Sequence, residues 1–145
     1  MDEIRHEPQY PAVVPMVSYE DAGTAIDWLV RAFGFRERPE QRYVEDGRVT
    51  HAELELGGGI VMLATPTPDY QGPRRHREGC PAADRWLQAP WVIDGVLVYV
   101  DDIDSHHRRA TEGGATMLSG IEDAPYGRLY RVEDLEGHRW MFMQR

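Results

Sequence analysis

The chain has 145 residues, 41% of them hydrophobic and 28% charged, enough for one ordinary core and unlike either a disordered chain or a membrane protein. Its 16 Lys and Arg against 25 Asp and Glu give a formal net charge of −9, which repels a phosphate backbone and argues against nucleic acid as a partner. Apolar runs reach only strand length (60–64 and 96–100), the opening MDEIRHEPQY has no apolar leader segment, and a single cysteine, Cys80, suits a reducing compartment, so a cytoplasmic protein with no membrane partner is expected.

Ala12 to Ser18 (AVVPMVS) reads as a strand, and its proline marks an edge or a bulge because proline cannot donate to a ladder. Asp21 can cap a helix whose apolar residues Ile26, Leu29, Val30 and Phe33 make one buried stripe, with Gly34 as its stop. A charged, strand-like segment runs to Glu45, and Asp46-Gly47 turns it into RVTHAELEL. Alternation puts Thr50, Ala52, Leu54 and Leu56 on one face of that strand and Val49, His51, Glu53 and Glu55 on the other. Gly57 to Gly59 then turns the chain into IVMLA. Residues 66–92 hold five of the ten prolines together with Tyr70, Trp86 and Trp91. They read as a long connection with one short helix near 82–87 and a solvated basic cluster at Arg74-Arg75-His76-Arg77.

After this connection the pattern starts again. Val96 to Val100 is a buried strand, Asp101 or Asp102 caps a helix, and Gly113-Gly114 stops it. Strands follow near 115–118, 128–132 and 139–143, with turns at Tyr126-Gly127 and Glu136-Gly137. Gly34 and Gly114 stand 80 residues apart, and Asp21 stands 80 or 81 from its counterpart. A strand, a helix and three strands, repeated at a steady offset, form a duplicated half-domain. The expected architecture is a single α+β domain over residues 1–145. Module one covers about 10–65, a connecting loop 66–92, and module two about 93–145.

Four stretches carry a family likeness: VSYEDAGTAIDWLVRAFGF (17–35), RVTHAELELGGGIVML (48–63), VYVDDIDSHHRRATEGGA (98–115) and YGRLYRVEDLEGHRW (126–140). In them the chain resembles the vicinal-oxygen-chelate superfamily of glyoxalases, bleomycin-resistance proteins and extradiol dioxygenases, and within it the phosphonate-operon (PhnB-like) branch. The resemblance implies two βαβββ modules whose curved, mainly antiparallel sheet surrounds a cavity, with helices outside. It also implies a homodimer with sites near the interface.

In metal-dependent members four inward-facing His and Glu side chains hold a divalent ion. Carried onto this chain, the two first-strand positions fall on Val14 and Gly95, and the last-strand glutamate falls on Met141. One position keeps a carboxylate, Glu55; a register slip by one would add only Asp94. Valine, glycine and methionine are not ordinary ligands for such an ion, so no metal and no other cofactor is expected.

If Val14, Gly95 and Met141 face inward, parity brings Met16, Leu97, Tyr99 and Met143 beside them, and puts His51, Glu53 and Glu55 on the inner face of their strand. That polar stripe is either the wet face of a half-buried sheet or a cavity wall. Arg128, at a strand start, either reaches the cavity mouth or pairs with surface acids. The ligand-binding set is therefore His51, Glu53, Glu55, Met16, Leu97, Tyr99, Arg128 and Met141, with a cationic group on the ligand directed to the two glutamates. His138 is read as a structural hydrogen-bonding residue, and of His106 and His107 one packs under the sheet. Trp28 and Trp140 are read as core, while Trp86 and Trp91 either stack on a flat ligand or pin the loop.

Two functional readings follow. The first is a metal-free protein that binds a small molecule, sequestering an antibiotic or similar ligand. The alternative is a glyoxalase-like lyase or isomerase, using non-standard metal ligands or metal-free acid–base catalysis by Glu53 or Glu55 with His51. A purely structural dimer with a filled cavity is the third possibility.

Overall fold

The computed structural model of the protein describes residues 9–145. Module one contains β1 (Met16–Ser18), α1 (Ala22–Phe33), β2 (Arg36–Glu37), β3 (Tyr43–Glu45), β4 (Arg48–Leu56) and β5 (Gly59–Ala64). The connection folds into two short helices, α2 (Pro73–Glu78) and α3 (Pro81–Trp86). Module two repeats the pattern as β6 (Gly95–Val100), α4 (Ile103–Glu112), β7 (Thr116–Met117), β8 (Glu122–Ala124), β9 (Gly127–Glu133) and β10 (Arg139–Gln144).

The sheets have matching topologies. The first is ordered β1-β5-β4-β2 with β3 also on β4, and the second is ordered β6-β10-β9-β7 with β8 also on β9. In each, the first strand runs parallel to the last and the other pairs are antiparallel. The second strand of the expected βαβββ unit is thus two short pieces in both modules, interrupted in module one by a 3₁₀ turn at Pro39–Gln41. The modules form two five-stranded sheets rather than one continuous ladder, and β1 and β6 each keep an outer edge without a strand partner among the described residues. Pro15, just before β1, has no N–H to offer such a ladder.

Register makes the repeat explicit. Met16 pairs with Met62 and Leu97 with Met141, so Met62 and Met141 are equivalent. Glu53 opposes Met62 as Arg131 opposes Met141, so Glu53 and Arg131 are equivalent too. Asp21 and Asp102 cap their helices in the same way, accepting from the N–H of Thr24 and of Ser105, both at 3.1 Å. The helix offset is therefore 81 at the caps, and it falls to 80 at Gly34 and Gly114, both with positive φ, because α4 is shorter.

Helix α1 buries Ala25, Ile26, Trp28, Leu29, Ala32 and Phe33 against Ala52, Leu54, Val61 and Leu63. Helix α4 buries only Ile103 and Ala110, and is held mainly through its polar residues. His106 bonds the Phe33 carbonyl at 2.8 Å and the Tyr130 hydroxyl at 2.6 Å. Arg109 donates to the carbonyls of Arg31 and Val30. Trp28 Nε1 donates to the Gly113 carbonyl at 2.9 Å, and Gly113 is itself required there, since a Cβ would stand 2.5 Å from that of Ala32. Trp140, Phe142, Phe33 and Phe35 pack edge-on or stacked where the modules meet. Trp28 and Trp140 are core, as the sequence implies.

Alternation fails at Val49, which joins the core beside Ala52. Tyr43 opposes His51 while Val44 opposes Val49, so Thr50 is an extra residue in β4 and the parity changes there.

Candidate functional site

The faces of both sheets that turn away from the helices carry the candidate residues. On β4 that face is His51, Glu53 and Glu55, as expected, but it is closed by the protein itself. Glu53 is 1% exposed. It accepts from the Tyr10 hydroxyl at 2.8 and 2.9 Å, meets His51 Nε2 at 2.8 Å, and has Arg38 at 3.5 Å. Glu55 is held by Arg38 at 2.9 Å and by Arg36. These hydrogen bonds, Arg38 first, lower the Glu55 pKa below the ordinary carboxylate range, and the bond to Glu53 raises that of Tyr10. The stripe is therefore an internal ion-pair network, not an open seat for a ligand cation. His51, Glu53 and the Tyr10 hydroxyl line none of the main cavities among the described residues.

Module two keeps open space on the same face. A cavity of about 240 Å³ is bounded by Leu97 on β6, Arg131 on β9, Met141 on β10, and Pro90, Trp91 and Ile93 from the connection. Gly95 contributes to its wall without a side chain, and a Cβ there would meet the Arg139 carbonyl oxygen at 3.1 Å. Two neighbouring cavities of about 330 and 370 Å³ adjoin it along β6; Tyr99 and Leu97 line the first, and Met16, Gly95 and His138 the second. Met16, Leu97, Tyr99 and Met141 are thus brought together around β6. Met143 is not with them, being 4% exposed against Gly127.

Charge also organises this region. Glu133, 1% exposed, lies between the guanidiniums of Arg77 (2.9 Å), Arg139 (3.1 Å) and Arg74 (3.5 Å). Arg139 donates to the Leu87 and Ala89 carbonyls at 2.6 Å each, and Arg74 to those of Leu135 and Asp134. The basic cluster expected to be a solvated loop is therefore half structural. Arg74 and Arg77 fasten helix α2 to β9 and its turn, and the backbone at 87–89 is anchored beside Trp91. Burial of Glu133 and Arg139 is tolerable because the carboxylate meets three guanidiniums and Arg139 also finds two carbonyl oxygens.

Arg128 does not reach the cavity. It pairs with Asp104 at 2.8 Å and Asp123 at 3.7 Å on the surface. His138 Nε2 bonds the Ser18 carbonyl at 2.6 Å, the structural role expected. Trp86 and Trp91 are 59% and 73% exposed, and only Trp91 lines the cavity of module two. Sequence reasoning missed Arg131 and Ile93. For Arg131 a signal existed: alternation along GRLYRVE puts Leu129, Arg131 and Glu133 on one face.

The positions to which the resemblance carries a metal set do not fit an ion. Gly95 and Met141 line the cavity of module two, whereas Val14 lines none of the three cavities around β6. The repeat gives Met62, not Glu55, as the counterpart of Met141. Among the described residues no three His, Cys, Asp or Glu side chains are grouped to hold a metal. Valine, glycine and two thioethers supply no hard donor.

Comparison with known proteins agrees with the architecture. The model of the Glyoxalase/Bleomycin resistance protein/Dioxygenase superfamily matches residues 13–142. The Mycobacterium bovis protein Mb0911c is 32% identical over 139 residues, covering 92% of this chain and 83% of its own. The structure of TioX from Micromonospora sp. ML1 superposes with a TM-score of 0.67 at 36% identity, covering 93% of this chain and 96% of that one. A bleomycin-binding protein from Streptomyces verticillus, complexed with copper(II)-bleomycin, has the same fold (TM-score 0.59, 17% identity, 96% and 99% covered).

Proposed function

The chain belongs to the Glyoxalase/Bleomycin resistance protein/Dioxygenase superfamily, and on that premise we propose that it binds a small molecule without a metal, sequestering an antibiotic or a similar compound. One observation carries this reading: where the resemblance places metal ligands, Gly95 and Met141 instead open an apolar cavity walled by Leu97 and Trp91. Apolar walls with one or two fixed polar groups are what a binding pocket needs. The bleomycin-binding protein of the same fold supports the ligand class. The same proposal takes the phosphonate-operon branch as its nearest kin, which the four matching stretches support, and the cytoplasm as its compartment, which a lone cysteine suits.

The functional unit in this proposal is a homodimer. Val13, Met16 and Tyr99 are exposed apolar residues near the two free strand edges, and a second copy is the occupant that would cover them. Sedimentation at micromolar concentration should give twice the chain mass. A monomer there would remove this part of the proposal.

The decisive experiment pairs metal analysis of tag-free protein with a screen of planar ligands by tryptophan quenching. Binding by dialysed, metal-free protein that is lost in Met141→Trp, which fills the cavity, is expected. Stoichiometric Zn, Ni or Mn surviving dialysis would count against the reading.

A second reading has its own observation. The imidazole of His51 is held by Glu53, itself bonded to Tyr10, and is 35% exposed, an arrangement that suits acid–base catalysis. Turnover of any bound compound that disappears in His51→Ala would favour it.

A further inference from the structure

We propose that the cavity of module two selects a flat aromatic ligand bearing a carboxylate or equivalent anion, with Arg131 as its recognition residue. The inference rests on the binding reading above and specifies its ligand. Size comes first. About 240 Å³ lies below the range typical of a whole drug-sized ligand, so the cavity takes one planar ring system. Trp91, 73% exposed, offers an indole face to that ring, while Leu97 and Met141 supply the apolar floor.

Charge then sets the sign. The chain as a whole is acidic, at −9, yet no carboxylate among the described residues lines the cavity, whereas Arg131 and Arg139 do, with Arg74 and Arg77 behind them on Glu133. Three of the four are spoken for by Glu133 and by backbone carbonyls. Arg131 is different. Its side chain is 18% exposed, and its one carboxylate partner is Glu122, at 2.7 Å from Nη1 and itself 47% exposed. The Tyr126 hydroxyl lies 3.4 Å from Nη2. Glu122 is a surface side chain free to turn into water, so it stands where a ligand carboxylate would make the bidentate contact that a guanidinium fork favours. The equivalent position in module one is Glu53, which the protein satisfies internally. Of this symmetric pair only the basic member is left with an exchangeable partner.

The test uses 2-naphthoate, neutral 2-naphthamide and cationic 2-naphthylmethylamine, titrated into the full-length protein by calorimetry. Naphthoate should bind at least tenfold more tightly than the amide, and the amine more weakly still. Arg131→Gln should erase the naphthoate preference, and Arg131→Lys should restore part of it. Glu122→Gln should strengthen naphthoate binding several-fold by removing the competing carboxylate, an effect that a merely structural ion pair would not give. Equal affinities for the three probes, each lost in Met141→Trp, would overturn the anion assignment and leave the binding reading standing. Failure of all three to bind, or binding unaffected by Met141→Trp, would overturn both.

Discussion

The two modules share a topology and a capping device, yet they finish their open faces in opposite ways. On β4 the stripe His51, Glu53 and Glu55 is neutralised by Tyr10, Arg36 and Arg38, so the face is spent on its own ion pairs. On β9 the matching stripe is Leu129, Arg131 and Glu133. Its carboxylate faces sideways to fasten the connection, and space remains above Leu97 and Met141. Duplication fixes where side chains stand; the residue at each position decides whether the place becomes a strut or a pocket.

The largest effect should come from the two glutamates that occupy equivalent positions, Glu55 and Glu133. Glu133→Ala leaves Arg139, 5% exposed, without its carboxylate and should cost about 3–5 kcal/mol in urea unfolding. Glu55→Ala removes a partner from exposed Arg36 and from Arg38, which keeps Glu53 at 3.5 Å, and should cost less, about 1 kcal/mol. Similar losses for both would erase the distinction between strut and surface pair. Next come the caps. Asp21→Ala should lower stability by about 1 kcal/mol and Asp102→Ala should be destabilising in the same sense, and opposite signs would mean that the helices are not equivalent in energy as they are in geometry.

The smallest expected effect is a pH dependence confined to module two. Burial lowers the pKa of His106 below its ordinary 6.5, so the unfolded chain takes up a proton more readily than the folded one. His106 should therefore contribute its full stability above about pH 6.5 and lose it progressively as the pH falls below that value. Ala25 fills the equivalent place in α1, at the same offset of 81, and cannot titrate. Thermal midpoints between pH 7.5 and 5 should fall less in His106→Gln than in the wild type. Parallel curves would remove His106 from the account.

Much of the fold was legible because its signals are local and repeated: capping Asp, stopping Gly, period-two alternation. Parity also puts Leu97, Tyr99 and Met141 on one side, where Leu97 and Met141 line one cavity and Tyr99 its neighbour. The carboxylate stripe is misjudged from sequence because its partners are not paired with it, although Arg36 and Arg38 share its spacing on the segment that pairs with it, Arg36 in register with Glu55 and the Arg38 N–H on the Glu53 carbonyl. Tyr10 gave no such signal, since it reaches Glu53 from 43 residues away. The short helix expected near 82–87 is α3, whereas α2 escapes the reading because it opens on proline, spans six residues and is half arginine, a composition that also describes a loop. Nothing local tells Arg77 that its carboxylate lies 56 residues ahead.

The reciprocal docking of helix ends reaches beyond stability. The last-turn carbonyls of α1 at Val30, Arg31 and Phe33 find their donors on α4, and the carbonyl of Gly113 finds its donor on α1. A helix normally closes its own final turn or leaves it to water; here each half supplies the other's ending. Neither half is then a self-sufficient unit despite the duplication, and the domain should open as one cooperative block. In native-state hydrogen exchange, amides of α1 and α4 should share a single opening free energy, while those of α2 and α3 exchange from a lower one. The ancestral half-domain, on the same reasoning, needed a second copy of itself before it could complete a helix.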